Sequence, residues 1–194
     1  MAEPALVYVS EDEFFEFLKT AEGRWELVDG EISMMAGANQ RHQEIVMNTA
    51  ASLHTQLRGS QCRPTTADTA VKTNGNIRYP DVVVDCGQRN DQSMWATTPT
   101  LVIEVLSPST RLFDSHKKLN EYKSHPDISY VLLVVADLAR ALLHYREGEG
   151  WRERVFESLN DVIAFPEIEA SLALNDVYYG LEFKPARPRK TYPD

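Results

Sequence analysis

The chain has 194 residues, 43% of them hydrophobic, and a formal net charge of −9 at pH 7. This length suits one domain with a sizeable core, and the acidic balance argues against tight, non-specific DNA binding. The longest apolar run, residues 130–136, is far shorter than the ~20 residues that a membrane span needs. The first four residues also lack the features of a signal peptide. Together these features predict a soluble, cytoplasmic protein.

The N-terminal part of the chain predicts a helix, a β-hairpin and a second, longer helix. Ser10 and Glu13 have the spacing of a capping box. Asp29-Gly30 is a strong signal for a two-residue hairpin turn. The predicted elements are a helix from Ser10 to about Thr20, strands over 24–28 and 31–34, and a helix over 40–58 with apolar residues at helical spacing.

The rest of the chain predicts mostly strands, with two further helices. Strands are predicted over 62–65, 69–72, 81–86, 101–107 and 130–136, a helix over 114–125, a hairpin over 140–146 and 151–157, and a short helix over 172–179. No internal repeat or linker is apparent. One α/β domain is therefore predicted over 1–184, with an N-terminal helix and hairpin (1–36), a core (37–137), a C-terminal hairpin and short helix (138–184), and a flexible tail (185–194).

The chain has two cysteines, Cys62 and Cys86. Two are too few for a disulfide framework or a cysteine zinc site. Because Cys86 ends an apolar run, it is predicted to be a buried free thiol.

One carboxylate stands inside an apolar strand, where ordinary packing does not need it. Glu104 lies within the run 101–106, and an unpaired carboxylate buried there would cost several kcal/mol or become neutral. A compensating cation is therefore expected. The candidates are a lysine of the next helix, Lys117 or Lys118, and a divalent metal ion shared with Asp81.

The order of these elements and charged residues resembles the PD-(D/E)xK nuclease superfamily, and within it the Uma-type restriction endonuclease family. The resemblance spans nearly the whole chain. It is carried by Trp25-Glu26-Leu27-Val28-Asp29-Gly30-Glu31, His42, Tyr79-Pro80-Asp81-Val82-Val83-Val84, Glu104-Val105-Leu106-Ser107-Pro108-Ser109-Thr110, and Asp114, Lys118 and Tyr122 spaced by four.

The resemblance implies a fold and an activity. The fold is α/β, with a restriction-endonuclease-like core whose mixed β-sheet is flanked by helices, an N-terminal helix plus hairpin, and a C-terminal hairpin. The activity is that of a Mg²⁺-dependent endonuclease that hydrolyses DNA phosphodiester bonds, with Mn²⁺ as a substitute. A homodimer is also implied, since cleavage of both strands by this fold usually needs two active sites.

The same resemblance implies roles for four residues. Asp81 and Glu104 would hold Mg²⁺ together with the Val105 carbonyl and water, because Mg²⁺ prefers few carboxylates and keeps part of its hydration shell. Lys118 would orient or deprotonate the attacking water, or stabilise the charge on the phosphate.

The chain departs from the superfamily pattern at one position. Leu106 stands two residues after Glu104, where the superfamily has its lysine, so the lysine is expected on the following helix. Lys118 is favoured, because it shares a helical face with Tyr122. Lys117 has the spacing to pair with Glu121 and is expected to face solvent.

Each of these residues also has a plainer interpretation. Asp81 could bond only the nearby backbone, and Glu104 could form a static ion pair with Lys118, as in a protein-interaction scaffold. Glu26 is either a catalytic residue that contacts the metal or water, or a solvent-facing strand residue. His42 either contacts substrate or water or packs at the edge of the core. An alternative function is a catalytically weak DNA-binding or regulatory module that retains the nuclease fold.

Overall fold

The computed structural model describes residues 8–107 and 114–183 of the chain. The helices are α1 (Glu11–Leu18), α2 (Gln40–Gln56), α3 (Asp114–Ser124) and α4 (Leu174–Val177). The strands are β1 (Trp25–Val28), β2 (Glu31–Met34), β3 (Arg63–Thr66), β4 (Val71–Thr73), β5 (Asn76–Arg78), β6 (Val82–Asp85), β7 (Pro99–Leu106), β8 (Tyr130–Val135), β9 (Arg140–Glu147), β10 (Gly150–Phe156), β11 (Val162–Phe165) and β12 (Ala170–Ala173). The predicted tail over 185–194 lies outside the described residues.

The main sheet has six strands in the order β10-β9-β8-β7-β6-β3. Strands β7 and β8 are parallel, and the other neighbours are antiparallel. A second, four-stranded sheet has the order β2-β1-β5-β4, and β11 pairs with β12. The mixed sheet and its helices confirm the predicted α/β class. No helix within 8–107 or 114–183 combines the length and apolar character that crossing a membrane requires.

The N-terminal elements form where local sequence signals predict them. Ser10 caps α1 in a reciprocal capping box with Glu13. The β1–β2 hairpin turns at Asp29 and Gly30, which both have positive φ, as a type I′ turn requires. Asn39 caps α2 by accepting a hydrogen bond from the backbone N–H of His42.

Strand β7 is buried because helices cover both of its faces. Leu101 and Ile103 pack in one hydrophobic cluster with Ile45 of α2. Val102 packs in a second cluster with Tyr122 of α3. Glu104 lies on the Val102 side because side chains alternate along a strand, and so it points towards α3.

The structure differs from the sequence prediction in its shortest elements. The predictions contained neither β5, which has three residues, nor β11. The helix predicted over 172–179 is wrong at its start, since residues 172 and 173 belong to β12 and α4 covers only Leu174–Val177. Such short elements carry little periodicity of their own, and their partner strands decide their conformation.

The prediction of a free thiol at Cys86 is wrong, because Cys86 forms a disulfide with Cys62. The cause is the pairing of β3 with β6. The antiparallel register aligns Arg63 with Asp85, so the residue before β3 and the residue after β6 face each other.

Reduction of this disulfide is expected to lower the free energy of unfolding by about 3 kcal/mol, since the bond closes a loop of moderate length in the unfolded chain. The sequence separation of the two cysteines is 24. Urea unfolding with and without a phosphine reductant measures the effect. The double variant Cys62→Ala/Cys86→Ala is the control and should not respond to the reductant. An unchanged wild-type midpoint after complete reduction would contradict the expectation.

Candidate active site

A cleft of about 800 Å³ opens between the β1–β2 hairpin, the start of α2, the end of β7 and α3. All five residues predicted from the sequence to be site residues line it, together with an arginine and a tyrosine that contact them. These lining residues are Glu26, His42, Asp81, Glu104 and Lys118, joined by Arg78 and Tyr122.

Asp81 lies beside Glu104 because of the register between β6 and β7. Val82 is paired with Ile103, so the residue before β6 lies next to the end of β7. The Val105 N–H donates to Asp81 Oδ2 at 2.7 Å. Asp81 therefore bonds the backbone of the residue that follows Glu104.

His42 approaches the same oxygen of Asp81 from the first turn of α2. Its Nε2 lies 3.2 Å from Asp81 Oδ2. Burial lowers the pKa of His42, but the hydrogen bond and charge of Asp81 outweigh it, and the pKa is raised overall. Among the described residues, both contacts to the Asp81 carboxylate use Oδ2, which leaves Oδ1 available to a ligand in the cleft.

Glu104 is largely buried, and among the described residues it has one close donor. The Tyr122 hydroxyl donates to Glu104 Oε1 at 2.8 Å, and Lys118 Nζ lies 4.0 Å from the same oxygen. Burial raises the pKa of Glu104 to about 7, with Asp81 and Glu26 acting in the same direction and Lys118 and Tyr122 opposing them. The surroundings therefore compensate the negative charge of Glu104 only in part.

Glu26 holds the ammonium of Lys118 at the edge of this acidic pair. Lys118 Nζ donates to Glu26 Oε1 at 2.8 Å, and Arg78 Nη1 donates to Glu26 Oε2 at 3.0 Å. Glu26 is 6% exposed, so the interpretation as a solvent-facing residue is wrong. Its two oxygens are engaged by cations, which also leaves them poorly placed to bind a metal ion.

Lys117 lies at the mouth of the cleft. Its ammonium pairs with Asp29 in the hairpin turn, and its side chain is 43% exposed. The expected pairing of Lys117 with Glu121 is wrong, because Glu121 binds Arg78 through both carboxylate oxygens at 2.7 Å. Lys118 is thus the lysine of α3 that lies next to Glu104.

Arg78 and Glu121 were absent from the sequence-based set of site residues. Arg78 is 1% exposed although it carries a permanent charge, and its sequence signal is weak because a charged residue usually lies on the surface. Glu121 could have been noticed, since it follows Lys118 by three residues and so lies on a neighbouring part of the same helical face. Of Asp114 the structure describes only the backbone at the start of α3.

The charges of this cluster do not balance. Among the residues that the structure describes, four carboxylates face the two cationic side chains of Arg78 and Lys118, and His42 adds a positive charge only when it is protonated. Arg78 and Lys118 lie closest to Glu26 and Glu121, so the surplus negative charge lies at Asp81 and Glu104. When Glu104 is ionised, the two surplus negative charges match the charge of one divalent cation.

Comparisons with known proteins give a solved structure with a similar fold and two relatives by sequence. The chain matches a crystal structure described as "a putative nuclease belonging to DUF820" from Anabaena variabilis, with a TM-score of 0.71 and 18% identity over 87% of this chain and 97% of that one. Two uncharacterized proteins of Synechocystis sp. are each 28% identical to this chain over the matched residues. One match covers 90% of this chain and 94% of the relative, and the other covers 63% and 72%. The structural likeness shows that this chain has the same fold as the Anabaena variabilis protein.

The family itself is shown by a match to a sequence-family model. Residues 11–175 match the model described as "Uma2: Putative restriction endonuclease". That range includes the cleft residues from Glu26 to Tyr122 and the whole six-stranded sheet. The chain therefore belongs to the Uma2 family.

Proposed function

We propose that this protein is a Mg²⁺-dependent endonuclease that hydrolyses phosphodiester bonds in DNA. The observation that carries the proposal is the pair Asp81 and Glu104, held side by side in an open cleft with surplus negative charge and with Lys118 next to them. Membership of a nuclease-like family supports it. The proposal includes a homodimer, since two active sites are needed to cut both strands of a duplex, and a location in the cytoplasm, whose reducing conditions would keep Cys62 and Cys86 largely as thiols.

The donor set suits Mg²⁺ better than a metal that requires a complete protein cage. Within 8–107 and 114–183, no three His, Cys, Asp or Glu side chains converge on one point. Mg²⁺ is commonly held by one or two carboxylates and retains water and phosphate ligands. Asp81 and Glu104 would hold it with the Val105 carbonyl, and Mn²⁺ would serve as a substitute. When bound, the ion polarises the scissile phosphate and lowers the pKa of a bound water.

The residues around this pair have separate tasks in the proposed reaction. Val105 N–H and His42 fix the orientation of Asp81, and the Tyr122 hydroxyl fixes that of Glu104. Lys118 orients the attacking water and stabilises the negative charge that develops on the phosphate. Water oxygen forms a new bond to phosphorus and loses a proton to solvent, while the bond from phosphorus to the leaving oxygen breaks and that oxygen takes up a proton from solvent.

A plasmid-nicking assay tests the proposal. Wild-type protein with Mg²⁺ or Mn²⁺ is expected to nick supercoiled DNA, and Glu104→Gln and Lys118→Ala are each expected to lose about 100-fold or more of that activity. Lys117→Ala is the matched control, because it removes the neighbouring lysine whose ammonium pairs with Asp29.

Three outcomes would overturn parts of the proposal. Equal nicking by all variants would indicate a contaminating nuclease. A loss in Lys117→Ala as large as that in Lys118→Ala would contradict the choice of lysine. Metal-dependent binding of DNA without nicking would support the binding or regulatory module instead.

A further inference from the structure

Arg78 is a buried arginine that makes three hydrogen bonds to two carboxylates. Its Nε and Nη2 each donate to Glu121 at 2.7 Å, and its Nη1 donates to Glu26 at 3.0 Å. The guanidinium thus spans two carboxylates from different parts of the chain. Its planar fork of donors allows this, whereas the single ammonium of a lysine could not reproduce the same geometry.

These contacts tie together the elements that carry the lysine and its acceptor. Arg78 lies on β5, Glu26 on the neighbouring β1, and Glu121 on α3, one turn after Lys118. Thr73 of β4 also donates to Glu121, at 3.3 Å. The helix that carries Lys118 is therefore fastened to the four-stranded sheet at the level of the cleft.

Arg78 also binds one of the two carboxylate oxygens of Glu26, the residue that accepts the hydrogen bond from Lys118. Glu26 Oε2 accepts from Arg78, which leaves Oε1 for Lys118 and for the Tyr79 N–H at 3.3 Å. If the charge of Arg78 were removed, the whole charge of Glu26 would act on Lys118. Attraction to Glu26 would then draw the ammonium away from Glu104, from which it is now 4.0 Å distant.

We infer that Arg78, anchored by Glu121, is a positioning residue that acts through Glu26 to set the place of the Lys118 ammonium beside the acidic pair. This inference rests on the proposed nuclease function for its catalytic consequence. It assigns Arg78 no contact with the substrate. The arrangement of Arg78, Glu26 and Lys118 can be tested separately from that function.

The test uses the double variant Arg78→Met/Glu121→Gln, which removes one positive and one negative charge and so keeps the net charge of the buried cluster. Its kcat for nicking is expected to fall at least about tenfold, because a small misplacement of a catalytic group has a large effect on rate. Its KM for DNA and its Kd for Mg²⁺ should change less than about threefold, since Asp81 and Glu104 are intact.

A double-mutant cycle separates positioning from a general loss of structure. In a Lys118→Ala background, the same double change is expected to lower kcat no further, because the residue through which Arg78 acts is gone. An equal reduction in both backgrounds would overturn the inference. The single variant Arg78→Lys should keep only part of the wild-type activity. Full activity in this variant would argue against the need for a fork of donors.

A matched control removes another arginine–carboxylate pair. Arg63 Nη2 donates to Asp85 Oδ2 at 2.7 Å, and Asp85 lies at the end of β6 away from Asp81. Arg63→Met/Asp85→Asn changes the same kinds of charge and should lower thermal stability without a selective loss of kcat. A tenfold loss of kcat in this control as well would overturn the inference, because the loss would then follow from removal of any such ion pair.

An NMR measurement tests the arrangement without any assay of activity. The Lys118 ¹⁵Nζ signal, assigned by its absence in Lys118→Ala, is expected to shift in Arg78→Met/Glu121→Gln and to stay unchanged in Arg63→Met/Asp85→Asn. An unchanged Lys118 signal in the first variant would overturn the inference. A shifted signal in a protein that does not nick DNA would contradict only the proposed nuclease function.

Discussion

Calorimetric titration of Mg²⁺ into the wild-type protein is expected to give saturable binding of one ion, and Asp81→Asn is expected to abolish it. The reason is the surplus negative charge at Asp81 and Glu104. The amide oxygen of the substituted side chain could still accept the Val105 N–H, so the local backbone contact need not be lost. The substitution would remove the charge and one of the two carboxylates that the ion needs.

The same binding should appear as a gain in stability. A ligand that binds only the folded protein at 100 times its Kd adds about 2.7 kcal/mol to the free energy of unfolding. The melting temperature of the wild type should therefore rise with Mg²⁺ concentration, and that of Asp81→Asn should not. This comparison does not depend on knowing the DNA substrate.

Asp85→Asn is the matched control for this substitution. Asp85 lies on the same strand, β6, and accepts hydrogen bonds from Arg63, Gly87 and Thr98. Its change should lower stability but leave Mg²⁺ binding intact. Binding that survives in Asp81→Asn, or that is absent from the wild type, would contradict a metal site at the acidic pair.

The parts of the fold that the sequence predicts well have strong local patterns. Helix α2 has apolar residues at helical spacing over 17 residues, and β8 is apolar throughout and lies inside the sheet between β7 and β9. The first hairpin follows from its Asp-Gly turn. In each case the residues that define the element are neighbours in sequence, so no knowledge of tertiary contacts is needed.

The parts that could not be predicted depend on contacts between distant residues. Strand β5 has three residues and is held by β1 and β4. Arg78 can be buried there only because Glu26 and Glu121 reach it, and these are 52 and 43 residues away in sequence. The disulfide likewise follows from the pairing of β3 with β6 and not from the local sequence at either cysteine.

The candidate site also has a part that the sequence predicts and a part that it does not. The family resemblance singles out Asp81, Glu104 and Lys118, and the structure brings them to one cleft. The resemblance does not reveal that Glu26 is shared by Lys118 and Arg78. That contact depends on the meeting of β1, β5 and α3 in three dimensions.

In metal-free protein, Glu104→Gln is expected to be more stable than the wild type at pH 8, although it should have lost most of its nicking activity. Burial raises the pKa of Glu104 from the ordinary value of 4.5 to about 7 in the folded protein. A raised pKa means that the folded state favours the protonated form. The wild type therefore keeps its full stability below pH 4.5 and loses part of it as the pH rises towards 7.

The glutamine variant has no charge at this position, so its stability should not fall in this way as the pH rises. A shift of this size corresponds to a gain of about 3 kcal/mol in the free energy of unfolding at pH 8, with little difference between the two proteins at pH 4. Urea unfolding in EDTA from pH 4 to pH 8 measures it, with Glu149→Gln, in the exposed β9–β10 turn, as the control that should show no such trend. Saturating Mg²⁺ should reduce the difference in stability between the two proteins at pH 8, because it should stabilise the wild type alone. If Glu104→Gln were instead less stable than the wild type at pH 8, Glu104 would be a structural ion-pair partner of Lys118, as expected of a protein-interaction scaffold.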